Sequence, residues 1–139
     1  MKKIIAALIL GSLSSLSFAV TPCDGTAAKK ASVKKADTPT FIKTDFTFNC
    51  SNNSFVVYTE QSATVLTVGA TSAKGSEYFG GHTDGGAVKS YGPCEAKDCV
   101  ADDATAGDTK AKEDAEKDAE ADGGGGAGGG AGGGAGDGS

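Results

Sequence analysis

The stretch Phe41-Ile42-Lys43-Thr44-Asp45-Phe46-Thr47-Phe48-Asn49-Cys50 decides the fold class. Ile42, Thr44, Phe46, Phe48 and Cys50 fall on one side of an extended chain, with Lys43, Asp45, Thr47 and Asn49 on the other. That repeat of two belongs to a strand with one buried face, not to a helix with its 3.6-residue period. The spacing predicts a strand over 41–50. Ser51-Asn52-Asn53-Ser54 follows as a turn, because Asn tolerates the left-handed region. Phe55–Glu60 then reads as the hairpin partner of the first strand.

Outward from there the same grammar continues. Ala63–Ala70, rich in Val and Thr, predicts a third strand, and Glu77–Phe79 and Ala87–Tyr91 a fourth and fifth around a Gly-rich loop. Asp84-Gly85 inside that loop is a strong hairpin-turn signal. Short strands at this spacing imply an all-β domain, a small antiparallel meander, sandwich or barrel of about five strands. Every aromatic residue except Phe18 lies between Phe41 and Tyr91, so the hydrophobic core is expected within residues 40–100. A core of that size is marginal alone, and disulfides commonly reinforce one. The segment Ser62–Ala73 has neither charge nor proline. It is expected as a central strand paired on both sides; exposed at an edge, it would invite strand addition by another chain.

The flanks differ from this middle. Lys2 and Lys3, the apolar run Ile4–Leu16 and Ser17-Phe18-Ala19 have the three parts of a secretory signal peptide over residues 1–19, with Val20 as the mature start. A membrane anchor needs about 20 apolar residues, and this run is shorter. Pro22 before Cys23 argues against a lipid anchor there. Export implies an oxidising compartment, where Cys23, Cys50, Cys94 and Cys99 form disulfides by default. Four cysteines allow three pairings. The expected one is Cys23–Cys50, tying down the N-terminal arm, with Cys94–Cys99 as a local clip. Zinc sites favour Cys-x2-Cys pairs with added His, and neither occurs, so no metal or cofactor is expected. Asn49-Cys50-Ser51 and Asn52-Asn53-Ser54 match the glycosylation sequon, but they read as turn chemistry in a chain whose short Lys-Lys leader looks bacterial.

Charge is unevenly placed. The 139-residue chain has 13 Lys, no Arg and 18 acids, for a net charge of −5. Residues 20–39 form a Lys-rich arm carrying Lys29, Lys30, Lys34 and Lys35. Residues 101–122 are acidic, with Ala111, Ala115 and Ala119 on one face, too small to dock a helix firmly. This segment is expected as partial helix, solvated all round. Residues 123–139 are almost wholly Gly and Ala and predict a disordered tail. The acidic stretch lacks the Asp-x-Asp-x-Asp-Gly spacing of a dedicated Ca²⁺ loop. An acidic chain without Arg is also a poor nucleic-acid ligand.

The most distinctive local feature is Gly80-Gly81-His82-Thr83-Asp84-Gly85-Gly86. Gly81, His82, Asp84 and Gly85 are the candidate ligand-contact residues, since paired glycines bare backbone amides and His82 and Asp84 offer polar handles. The plainer expectation is a flexible hairpin end facing water. A catalytic version would join His82 and Asp84 to Ser76 or Ser90, but no nucleophile motif surrounds either serine. No catalytic residues are therefore assigned. The expectation is a non-enzymatic exported protein, secreted or periplasmic, acting through surface contacts as a binding module or a self-assembling subunit. Its partner would be another protein or a second copy, with no nucleic acid and no membrane insertion after signal cleavage. The alternative is a periplasmic cation- or small-ligand-binding protein, and a small hydrolase comes third.

Overall fold

The computed structural model describes residues 19–26, 28–35 and 41–122. The expected signal segment up to Phe18 and the Gly/Ala tail from Gly123 lie outside the described residues, as do residues 36–40 of the Lys-rich arm.

The described chain is mostly β. Seven strands form two antiparallel sheets, and one helix follows. The strands are β1 (Ala19–Asp24), β2 (Lys29–Val33), β3 (Phe46–Cys50), β4 (Ser54–Glu60), β5 (Leu66–Ser72), β6 (Glu77–His82) and β7 (Lys89–Pro93); the helix α1 spans Ala101–Asp122. The larger sheet runs β1-β4-β5-β6-β7, and β2 pairs with β3 as a separate ribbon. The charge-free segment Ser62–Ala73 supplies β5, central in the five-stranded sheet and paired with β4 and β6 along its length.

Three expectations are corrected. First, the strand over 41–50 begins only at Phe46. Residues 41–45 are pulled across the fold instead. The Ile42 amide donates to Glu60 Oε2 at 3.1 Å, and Asp45 accepts the Lys35 amide and Lys34 Nζ, each at 2.9 Å. Second, β3 and β4 are not hairpin partners. Asn53, at φ 65°, turns the chain from one sheet into the other. The Gly25 amide donates to the Ser54 carbonyl and the Asn53 amide to the Gly25 carbonyl, docking β4 beside β1. Third, the flanks are not solvated arms. Strands β1 and β2 come from the Lys-rich segment, and α1 packs along the large sheet.

Alternation along β5 separates the sheet's two faces. Thr67, Gly69 and Thr71 are buried on the back, beneath α1, while Leu66, Val68 and Ala70 are half-buried on the front. The back contact is unusually close. A methyl group on Gly69 would run into the Ala104 carbonyl and the Asp108 amide; one on Gly80 would meet the Gly107 carbonyl, and one on Gly107 the Phe79 carbonyl. Helix backbone therefore lies against strand backbone. Ala104, Gly107, Asp108, Ala111 and Ala115 form the buried stripe of α1, at helical spacing. Their small size is what permits docking, opposite to the effect expected of them.

On the front, the β2–β3 ribbon covers the β1–β4–β5 side. Val33 and Ile42 pack with Tyr58 there, and the Cys23–Cys50 bond joins ribbon to sheet beside Ala31. The second bond, Cys94–Cys99, leads into α1. No cysteine is free. The sequence separations of 27 and 5 residues translate into loop-closure contributions of about 3.5 and about 2 kcal/mol on the chain-entropy model, so the inter-sheet bond is the stronger constraint.

The close contact yields a test by sign. Gly107→Ala should raise intrinsic helix propensity by about 1 kcal/mol. It should nevertheless lower global stability, by about 1–3 kcal/mol or more, because the new methyl meets β6 backbone. Urea unfolding of the variant distinguishes the two directions.

Candidate functional site

Beneath α1 the sheet's back face is lined by polar residues. Thr59 and Thr67, neighbours across β4 and β5, donate their hydroxyls to the two oxygens of buried Asp108, at 2.6 and 2.7 Å. A buried carboxylate is tolerated only when its oxygens find donors, and each oxygen here has one. Further along, Asp114 accepts Tyr91 Oη at 2.7 Å and faces Lys89 Nζ at 2.6 Å, with Lys117 at 3.4 Å. The Lys89 ammonium, helped by the Tyr91 hydroxyl, holds the Asp114 carboxyl well below the usual carboxylate range. Burial, reinforced by the bond to Asp114, pushes the Tyr91 hydroxyl well above the usual tyrosine range. These contacts register the helix on the sheet.

The glycine-rich motif is divided between strand and loop. Gly81 and His82 belong to β6, while Asp84 and Gly85 lie in the β6–β7 connection. Gly85 takes φ 77°, as the turn signal required. The His82 side chain is 3% exposed, with Nε2 at 3.5 Å from Asp118 Oδ2 and Nδ1 buried without a partner. Gly86 lies directly on the imidazole, where a side chain would collide with it. Asp84 instead lines a shallow depression of about 200 Å³ with Lys112 and Glu116. The serines considered with His82 are placed otherwise. Ser90 donates to Glu77 Oε2 at 2.8 Å, and Ser76 lies just before β6.

One grouping of three metal-type donors occurs among the described residues, Cys94, Cys99 and Asp103. Its sulfurs are bonded to each other. The Asp103 carboxylate accepts the Val100 amide at 2.8 Å and the Glu95 amide at 3.4 Å, capping the start of α1. This is a helix-initiation device.

The front face is different in character. The ribbon leaves the β5–β6–β7 side of it open. A groove of about 580 Å³ runs there past Val56, Ala70, Phe79 and Val88, rimmed by Ser54, Ser72 and Ser76. Val88 counts as a core aliphatic by sequence, yet it is 78% exposed, and Phe79 is 40% exposed. Sequence reasoning missed this surface. The one available signal was the position of Val88, an isolated large aliphatic just after a glycine-rich loop.

Neither a family model, nor a curated protein, nor a solved structure matches the chain.

Two predictions test the polar contacts under α1. Thr67→Val leaves one Asp108 oxygen buried without its donor, and should cost about 1–3 kcal/mol in urea unfolding. The Asp114 contribution, from a depressed carboxyl, is present above its ordinary value of 3.8 and lost as pH falls below it. The Tyr91 contribution, from a raised hydroxyl, is present below 10.0 and lost as pH climbs above it. Asp114→Asn should therefore be less stable than wild type at neutral pH, with the difference shrinking on acidification through about pH 4 to 2. Parallel unfolding curves across that range would contradict it.

Proposed function

We propose that this is a non-enzymatic exported bacterial protein, secreted or periplasmic, that acts by surface contact, and that the contact joins two copies through the open half of the front face. The observation that carries the reading is Val88 beside Phe79, two large apolar side chains exposed together along an apolar groove. Contiguous apolar surface of this kind is commonly an interaction site on a soluble protein. Two disulfides support an oxidising, exported location. No helix of the described residues is long and apolar enough to cross a membrane.

Both sheet edges are poor templates for strand addition, which favours a face over an edge. Edge strand β1 contains Pro22 and shifts register between Val20 and Cys23. Edge strand β7 ends in Pro93, and its pairing with β6 shifts between Tyr78 and Phe79. Proline and bulges are the usual means of blunting an edge. Face-to-face packing of two half-covered sheets would bury the groove and complete a sandwich, in a two-fold arrangement where each copy presents the same patch.

Sedimentation of the oxidised mature protein over a wide concentration range tests the reading. The wild type should dimerise with concentration. Val88→Asp, at an exposed position, should remain monomeric and fold normally. A wild type that stays monomeric throughout, or a dimer indifferent to the substitution, would overturn it.

A further inference from the structure

The space between the two sheets is only partly filled. Where α1 meets the sheet backbone to backbone, the β2–β3 ribbon leaves a cavity of about 280 Å³ against β4 and β5. Ten residues line it, among them Val33, Ile42, Phe46, Phe48, Tyr58 and Leu66, and none carries a charge. Burying a charged or many-handled ligand here would strip its hydration without replacement. Hydrocarbon has no such cost. An apolar void of about 150 Å³ takes a benzene ring, so this volume admits a chain of roughly ten carbons.

The opening and its charge narrow the ligand further. Phe46 is the most exposed of the named lining residues, at 50%, and its ring stacks against Phe48, with centroids 6.2 Å apart. It pairs across the ribbon with Val33, which Lys34 and Lys35 follow directly. Lys34 is bonded to Asp45, whereas no salt bridge among the described residues engages the Lys35 ammonium. Over residues 28–35 and 41–50, five lysines stand against Asp45; Lys29 is paired to Asp24, and Asp37 falls in the intervening sequence, which leaves the lysines in excess. An apolar interior with a cationic rim suits an amphiphile with a negative head.

We propose that the cavity between the sheets binds a medium-chain fatty acid, with the alkyl chain inside and the carboxylate at the mouth beside Lys35. The cavity shares Val56 with the open groove, but its remaining lining is distinct and its occupation does not require dimerisation.

Calorimetric titration of the oxidised mature protein with decanoate, octanoate, hexanoate and decyltrimethylammonium tests this. Decanoate should saturate one site per chain, and affinity should fall about fourfold for each methylene removed. The cationic amphiphile should bind at least about tenfold more weakly, since its head meets like charge. Val33→Phe fills the cavity and should abolish binding. Phe46→Glu places a carboxylate at an exposed mouth position and should weaken decanoate about tenfold while the protein still unfolds cooperatively; Phe46→Gln, which loses the same ring contact without the charge, should weaken it less. The Phe46→Glu variant decides the matter if Val33→Phe folds poorly. Val88→Asp, in the open groove, should leave decanoate affinity unchanged. Several results would overturn the assignment: no saturable decanoate binding, affinity independent of chain length or head charge, full binding by Phe46→Glu, or loss of binding in Val88→Asp.

Discussion

Backbone-to-backbone contact between α1 and strands β5 and β6 is the constraint on which the rest of the structure depends. Gly69, Gly80 and Gly107 remove the side chains that would hold helix and sheet apart. At that separation there is no room for a conventional apolar layer. What lies along the seam must be small, like Ala104 and Ala111, or polar and able to reach a defined partner, like Asp108 with Thr59 and Thr67. The chain thus stabilises its back face by steric fit and directed hydrogen bonds rather than by apolar bulk. Such contacts tolerate little displacement, because hydrogen bonds weaken steeply when misaligned.

Most of the large apolar side chains are consequently left to the front, with Val57, opposite Gly69, fully buried on the back. There the ribbon covers half of the sheet, held by the Cys23–Cys50 bond and the Val33–Ile42–Tyr58 cluster. The two layers differ in charge as well as in fit. Helix α1 carries nine acids against three lysines, and the ribbon with its connection five lysines against two acids, Asp37 and Asp45. The five-stranded sheet lies between an acidic layer and a basic one. Attraction across it is weak at exposed positions and screened by salt. The separation therefore matters more for what each face attracts from solution than for holding the fold.

Much of this was legible in the residues, though unevenly. Period two placed Ile42, Phe48 and Cys50 on the covered side, but Thr44 and Phe46 of the same set are exposed, because residues 41–45 leave the strand and Phe46 lies at its open end. It could not identify the partner strand, which depends on where Gly25 and Asn53 steer the chain. The order Lys30-Ala31-Ser32-Val33 also alternates, but an Ala and a Val among lysines are a faint signal beside the aromatics. Helix docking was illegible for a different reason. Hydrophobic periodicity registers bulk, and the docking face of α1 was selected for its absence. His82 was hidden likewise, because its burial comes from Gly86 lying on the ring and from α1, whose Asp118 faces it from 36 residues further along the chain.

A fold so asymmetric in packing says where adaptability can reside. Rearranging the back face would force backbone into backbone or strand the Asp108 carboxylate, both costly. On the front, the layers meet through half-buried Phe48, Leu66 and Val68, whose rotamers can change without breaking a hydrogen bond. The front also holds two concave spaces that are lined mainly by carbon, one open and one beneath the ribbon. A small disulfide-braced domain has little stability to spare. Leaving apolar side chains half-covered on one face forfeits burial that a further methyl or two could have recovered, while the opposite face is packed to the limit of its backbone. The contrast within one sheet is what favours the front as the proposed contact surface, with α1 as the rigid plate behind it.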